Sequence, residues 1–130
     1  MNDKDYTHWH TIKTNVHNEK QRPFFHEREI WFCLLGANIG FEQDGRGQEY
    51  LRPVVVVRKF NNEVCRIIPL TKNQKKGMYY FSFSYTTNIV STAILSQIKL
   101  VDSKRLEYKS GDMNEKDFTI LKQKLTRLLV

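Results

Sequence analysis

The chain has 130 residues, which fits one domain, and 40% of them are hydrophobic, enough to bury a core without disulfides or metal. Its formal net charge is +7 and its pI about 9.5, which points to a polyanionic or acidic partner rather than to acidic-surface function. No apolar stretch approaches the roughly 20 residues needed to span a bilayer, and the polar first residues do not read as a signal peptide. A membrane protein is therefore not expected.

Residues 1–28 read as an attached arm. Tyr6, Trp9, Ile12 and Val16 recur near helical spacing and predict a short amphipathic helix from Asp3 to about His17. His8 and His10, at i and i+2, diverge on such a helix and have no third ligand, so no metal site is expected. Pro23 marks a break, and Phe24-Phe25 pins the arm to the body.

The body runs from residue 29 to residue 130. Ile30 to Leu35 is almost continuously apolar and predicts a buried strand. Gly36 to Tyr50 is a long loop. Pro53 opens a β-branched run, Val54 to Val57, at the one strand position a proline readily tolerates, so the next strand is expected to start at Pro53 and leave Arg52 on the loop side. Asn61-Asn62 signals a turn before a third strand, Glu63 to Leu70. Lys72 to Gly77 is a basic loop, and Tyr79 to Tyr85 alternates aromatic and serine as a strand with one wet face. Thr92 to Leu95 and Ile98 to Val101 are short strands around Ser96-Gln97. Asn114 caps a terminal helix whose stripe of Phe118, Leu121, Leu125, Leu128 and Leu129 faces the core. Cys33 and Cys65 fall inside strands without metal-ligand spacing, as buried thiols do. The expected class is α+β, mainly β: a small, curved antiparallel barrel with helical cover.

Two strand ends thus deliver the Arg52 guanidinium, the Thr71 hydroxyl and the Lys72 ammonium, a set suited to gripping a phosphodiester. Each has a plainer reading. Arg52 would also suit an ion pair with Glu49 or Glu42, Thr71 a turn, and Lys72, Lys75 and Lys76 a solvated loop.

Five motifs bear on that choice: Gly40-Phe41-Glu42-Gln43, Arg52-Pro53-Val54-Val55-Val56, Pro69-Leu70-Thr71, Leu95-Ser96-Gln97-Ile98 and Lys104-Arg105-Leu106. In that order, over about Arg28 to Val130, the pattern resembles the MazF/PemK family of toxins from bacterial toxin–antitoxin pairs. The resemblance implies an SH3-like barrel, a homodimer in the cytoplasm, and an endoribonuclease that cuts single-stranded RNA without a metal or other cofactor. It also implies a cognate antitoxin. It assigns the chemistry to Arg52 and Thr71, and places Glu42, Gln43 and Gln97 near the substrate groove. The chain departs from some members at Phe41, where they carry His, and at Ile94 and Ser96, where they carry Arg and Asp, so an Asp-based general base cannot operate at Ser96.

Cleavage by 2′-hydroxyl attack gives a 2′,3′-cyclic phosphate and a 5′-hydroxyl, and fixed donors aimed at the phosphoryl oxygens lower its barrier. Arg52 offers paired donors, Thr71 a hydroxyl, and Glu42 is the carboxylate candidate for base. Lys72, Lys75 and Lys76 suit flanking phosphates, and the outward aromatics between Tyr79 and Tyr85 suit base stacking. The alternative is a non-catalytic toxin of the CcdB type, or a binding module on the same fold.

Overall fold

The computed structural model describes residues 21–35 and 51–129. The expected arm helix, the Gly36–Tyr50 loop, Glu42 and Gln43 lie outside the described residues. Within them the chain runs β1 (Glu29–Leu34), β2 (Leu51–Lys59), β3 (Val64–Thr71), β4 (Tyr80–Thr86), β5 (Ile89–Ile94), β6 (Lys99–Asp102), β7 (Leu106–Asp112) and α1 (Glu115–Leu128). Two 3₁₀ turns, Leu95–Gln97 and Ser103–Arg105, flank β6. The sheet order is β4-β5-β3-β2-β1-β7, with β6 also on β3, and every pairing is antiparallel. The sheet curls until β4 meets β7 through side chains. Tyr85 Oη shares a hydrogen bond with Ser110 Oγ at 3.0 Å, and the Tyr85 ring lies against Gly111. The mainly-β class with a C-terminal helix is as expected, but among the described residues the sheet is not a closed barrel: its end strands β4 and β7 share no ladder and touch through Tyr85.

Both faces of the central strands are buried, which is why β2 and β3 read as near-continuous apolar runs. One face packs Ile30, Val55, Val57, Ile68 and Leu70 against Phe83, Leu95 and the α1 stripe Phe118, Leu121 and Leu125. The other packs Trp31, Cys33, Val54, Val56, Cys65 and Ile67 against Phe25, Val101 and Leu106. The N-cap forms as expected, with Asp117 N donating to Asn114 Oδ1 at 2.7 Å. Leu128 packs on the core, but Leu129 is 62% exposed, because α1 ends at Leu128 and the stripe rotates off the sheet.

Strand bounds differ from expectation where pairing overrides propensity. β2 begins two residues before Pro53, since Leu51 and Arg52 pair with Leu34 and Cys33. Arg52 is therefore a strand residue, not a loop residue. β5 begins at Ile89, drawn out by its hairpin with β4 through Thr87-Asn88, where Asn88 takes a φ of 64°. β7 was not expected: its polar LEYKSGD sequence is held by its ladder on β1, with two register shifts.

Residues 21–28 are stitched to the sheet. Phe25 is fully buried, whereas Phe24 is 87% exposed. Arg22 Nη1 donates to Asp102 Oδ1 at 2.6 Å, and Lys59 Nζ to the Phe25 carbonyl at 2.7 Å. Arg28, at φ 80°, is held by Val56 and Met113: its amide donates to Val56 O, and Met113 N donates back to Arg28 O.

Glu29 ties this entry to β1 and β7. Its carboxylate accepts from the His26 amide at 2.8 Å and Trp31 Nε1 at 3.0 Å, and pairs with Lys109 at 3.2 Å. Burial alone would push this carboxyl up. The Trp31, His26 and Lys109 donors outweigh it and hold it below its ordinary value of 4.5. Stability from Glu29 is thus present above pH 4.5 and is lost as acid passes through the lower folded value. Glu29→Gln is expected to cost about 1–3 kcal/mol at neutral pH, with the deficit shrinking in acid. Urea denaturation at both pH values checks this.

At Gly111 a Cβ would stand 2.7 Å from Tyr85 Cδ2. Gly111→Ala must push the ring away, and a loss of about 1–3 kcal/mol is expected. Adding Tyr85→Ala should relieve the clash in the same thermal melts.

Candidate RNA-contacting site

The site is built where the β2–β3 ladder ends, at Val54↔Pro69. Beyond it β3 pairs with β5, with Leu70↔Ala93 and Thr71↔Thr92. Arg52 lies two residues before Val54 and Thr71 two residues after Pro69, the last pair of the β2–β3 ladder, so each keeps the face of that pair. Cross-strand partners share a face of the sheet. Arg52, on β2, and Thr71, the last residue of β3, therefore stand on one face at the point where the strands part.

Pairing extends that row. Ser82 on β4 pairs with Thr92 on β5, which pairs with Thr71. The Ser82 and Thr92 hydroxyls lie 2.8 Å apart, with Thr92 fully buried and Ser82 exposed. The sequence reading missed both. The alternation Tyr80, Ser82, Ser84 marked the wet face, but only the ladder shows that this face adjoins Thr71.

Thr71 Oγ1 accepts from the Asn73 amide at 3.2 Å. That contact uses an oxygen lone pair and leaves the hydroxyl hydrogen as a donor. Arg52 is partly buried. Lys72, Lys75 and Lys76 are exposed on the loop that follows Thr71, and Lys75 Nζ lies 5.9 Å from the centroid of the Tyr80 ring. Tyr80 is two residues from Ser82 and on its face, which makes it the stacking candidate nearest Thr71. Phe81, Phe83 and Tyr85 lie on the opposite face over the core, Phe81 stacked on Phe83 at 6.0 Å and Phe83 tilted against Tyr85 at 6.2 Å. Gln97 is exposed in the 3₁₀ turn after β5, with Ile94 and Ser96 beside it.

The structure thus places Arg52 and Thr71 on one face of the sheet, with the lysine loop directly after Thr71. It places Gln97 at the end of the neighbouring strand.

Residues 26–129 match the model of one protein family, described as the PemK-like, MazF-like toxin of type II toxin–antitoxin systems. The chain belongs to this family. A search of curated protein sequences found no match. Solved structures share the fold at low identity. MazF from Deinococcus radiodurans is 14% identical with a TM-score of 0.64, covering 85% of this chain and 98% of its own. The Mycobacterium tuberculosis toxin MazF-mt6 is 12% identical at TM-score 0.61, covering 78% and 96%. A mycobacterial endoribonuclease, solved with its cognate antitoxin, is 10% identical at TM-score 0.62, covering 82% and 95%. Among the described residues of this MazF-like chain, no helix is long and apolar enough to cross a membrane.

Cys33 pairs with Arg52 across β1 and β2, so a thiol stands beside the MazF-like row. Burial, reinforced by Cys65, pushes the Cys33 thiol up to about 12, and burial pushes Cys65 up to about 11. Neither thiolate is available at ordinary pH. Iodoacetamide at pH 8 is expected to leave both unmodified in the folded protein and to alkylate both in denaturant, as read by mass spectrometry.

Proposed function

We propose that this chain is a metal-independent endoribonuclease toxin that cuts single-stranded RNA through attack of a ribose 2′-hydroxyl on its own phosphodiester. The observation that supports this reading is the shared face of Arg52 and Thr71, just beyond the last β2–β3 pair at Val54↔Pro69, in a chain of the MazF-like family. The 2′-oxygen forms a bond to phosphorus as the bond to the 5′-oxygen breaks, leaving a 2′,3′-cyclic phosphate and a 5′-hydroxyl.

Charge builds on the two non-bridging oxygens in that step. Arg52, with five N–H donors, can meet them while keeping its protein contacts, and Thr71 adds its hydroxyl hydrogen. An arginine stays protonated, so Arg52 stabilises charge or protonates the leaving oxygen, and Glu42 is the carboxylate assigned to take the 2′-hydroxyl proton. Lys72, Lys75 and Lys76 hold flanking phosphates, while Gln43 and Gln97 contact the strand nearby. The same reading makes residues 1–28 an accessory arm on a barrel of residues 29–130. It gives the protein a homodimeric form, a cytoplasmic setting and a cognate antitoxin whose acidic tail competes with RNA.

The purified protein should cleave RNA in EDTA and spare a strand with 2′-deoxyribose at the scissile position. Arg52→Ala and Thr71→Val should each lower the rate by about 10²–10³ without changing the circular dichroism spectrum. Full activity in both variants would refute the assignment. The exposure of Leu129 favours one second reading, a non-catalytic toxin acting through its C-terminal residues. In that case Arg52→Ala would keep its toxicity in cells and Leu129→Asp would lose it.

A further inference from the structure

A second basic cluster lies on the other face of the sheet. A bulge in β2 near Val57 shifts the β2–β3 register so that Arg58 stands directly opposite Arg66. Arg66 shares the face of Ile68, whereas Thr71 shares that of Ile67, so this pair points away from the Arg52–Thr71 row. Like charges set directly opposite destabilise a ladder. Both guanidiniums sit over the ring of Phe60, at 5.6 and 5.4 Å from its centroid, and Phe60 is 48% exposed. Among the described residues neither arginine forms an ion pair; Asp102 is engaged by Arg22 and Lys104, Glu27 by the Lys59 amide, and Glu63 on the adjoining turn bonds through its backbone, not to either guanidinium. Leu100, the cross-strand partner of Arg66 on β6, is 59% exposed.

We propose that Arg58, Phe60, Arg66 and Leu100 form a docking surface for an acidic segment of a partner protein that carries apolar side chains beside its carboxylates. The juxtaposed guanidiniums have no ion-pair partner among the described residues, and carboxylates would supply one bidentately. Leu100 and the Phe60 edge gain from an apolar side chain, which a phosphate backbone does not offer. An RNA strand held along the Arg52–Thr71 row runs on the opposite face of β2 and β3. This surface is independent of the cleavage reading.

The test uses the full chain and three labelled probes followed by fluorescence anisotropy: a short peptide alternating Glu and Leu, its Glu–Ser counterpart, and a 2′-O-methyl oligoribonucleotide. The Glu–Leu peptide is expected to bind more tightly than the Glu–Ser peptide. Arg58→Gln with Arg66→Gln should weaken the Glu–Leu peptide by about tenfold and leave oligoribonucleotide binding unchanged. Leu100→Ser should erase the preference for leucine. Lys75→Glu with Lys76→Glu should leave peptide affinity intact, which separates this surface from general attraction to a basic protein. The proposal is overturned if the Glu–Leu peptide does not bind, or if the arginine pair changes its affinity by less than about twofold. An equal loss of oligoribonucleotide binding would assign the surface to RNA, and an equal peptide loss in the lysine variant would reduce it to net charge. Either result overturns the proposal.

Discussion

Pairing along β3 is the constraint on which the rest of the structure depends. β2 and β6 pair with the same first part of this strand, and β5 takes its end at Leu70 and Thr71, past Pro69. A proline in a central strand normally costs a ladder bond. Here Pro69 stands at the last β2–β3 pair, where the ladder stops. The last shared position is Val54↔Pro69, and Arg52 and Thr71 follow it on the same face, each held by a different strand. Buried packing on both faces holds β2 and β3 through Val54 to Val57, Ile67 and Ile68, so Arg52 and Thr71 are set on a packed base.

Much of this was legible in the sequence. Apolar runs marked β1, β2 and β3, and Asn114 with its leucine stripe marked α1, because those signals are local. β7 was hidden because its residues are mostly polar and exposed, and only β1 holds them in a strand. Arg52 was expected on a loop because Pro53 looked like a strand start. The cross-strand partner Cys33 carries the strand past it. Thr71 was legible as a residue but not as the neighbour of Thr92 and Ser82, since three strands far apart in sequence make that row.

The two sheet faces divide the basic charge of the chain. Arg52 and Lys72 accompany hydroxyls and a tyrosine ring, a mixture suited to phosphate and base. Arg58 and Arg66 accompany Phe60 and Leu100, a mixture with little to offer a sugar–phosphate chain. A bulge near Val57 produces this division, because it turns Arg58 from the face of Val56 to that of Arg66. Net charge alone would have suggested one polyanionic partner for the whole surface. The geometry separates two chemistries that composition merges.

The central claim is that Arg52 and Thr71 act together on one phosphate. A double-mutant cycle on cleavage of a single defined RNA strand tests it most directly. Groups that act as a unit are strongly non-additive. The account predicts that Arg52→Ala combined with Thr71→Val loses little beyond the worse single variant. Losses that multiply in full would mean that the two side chains act independently and would contradict it.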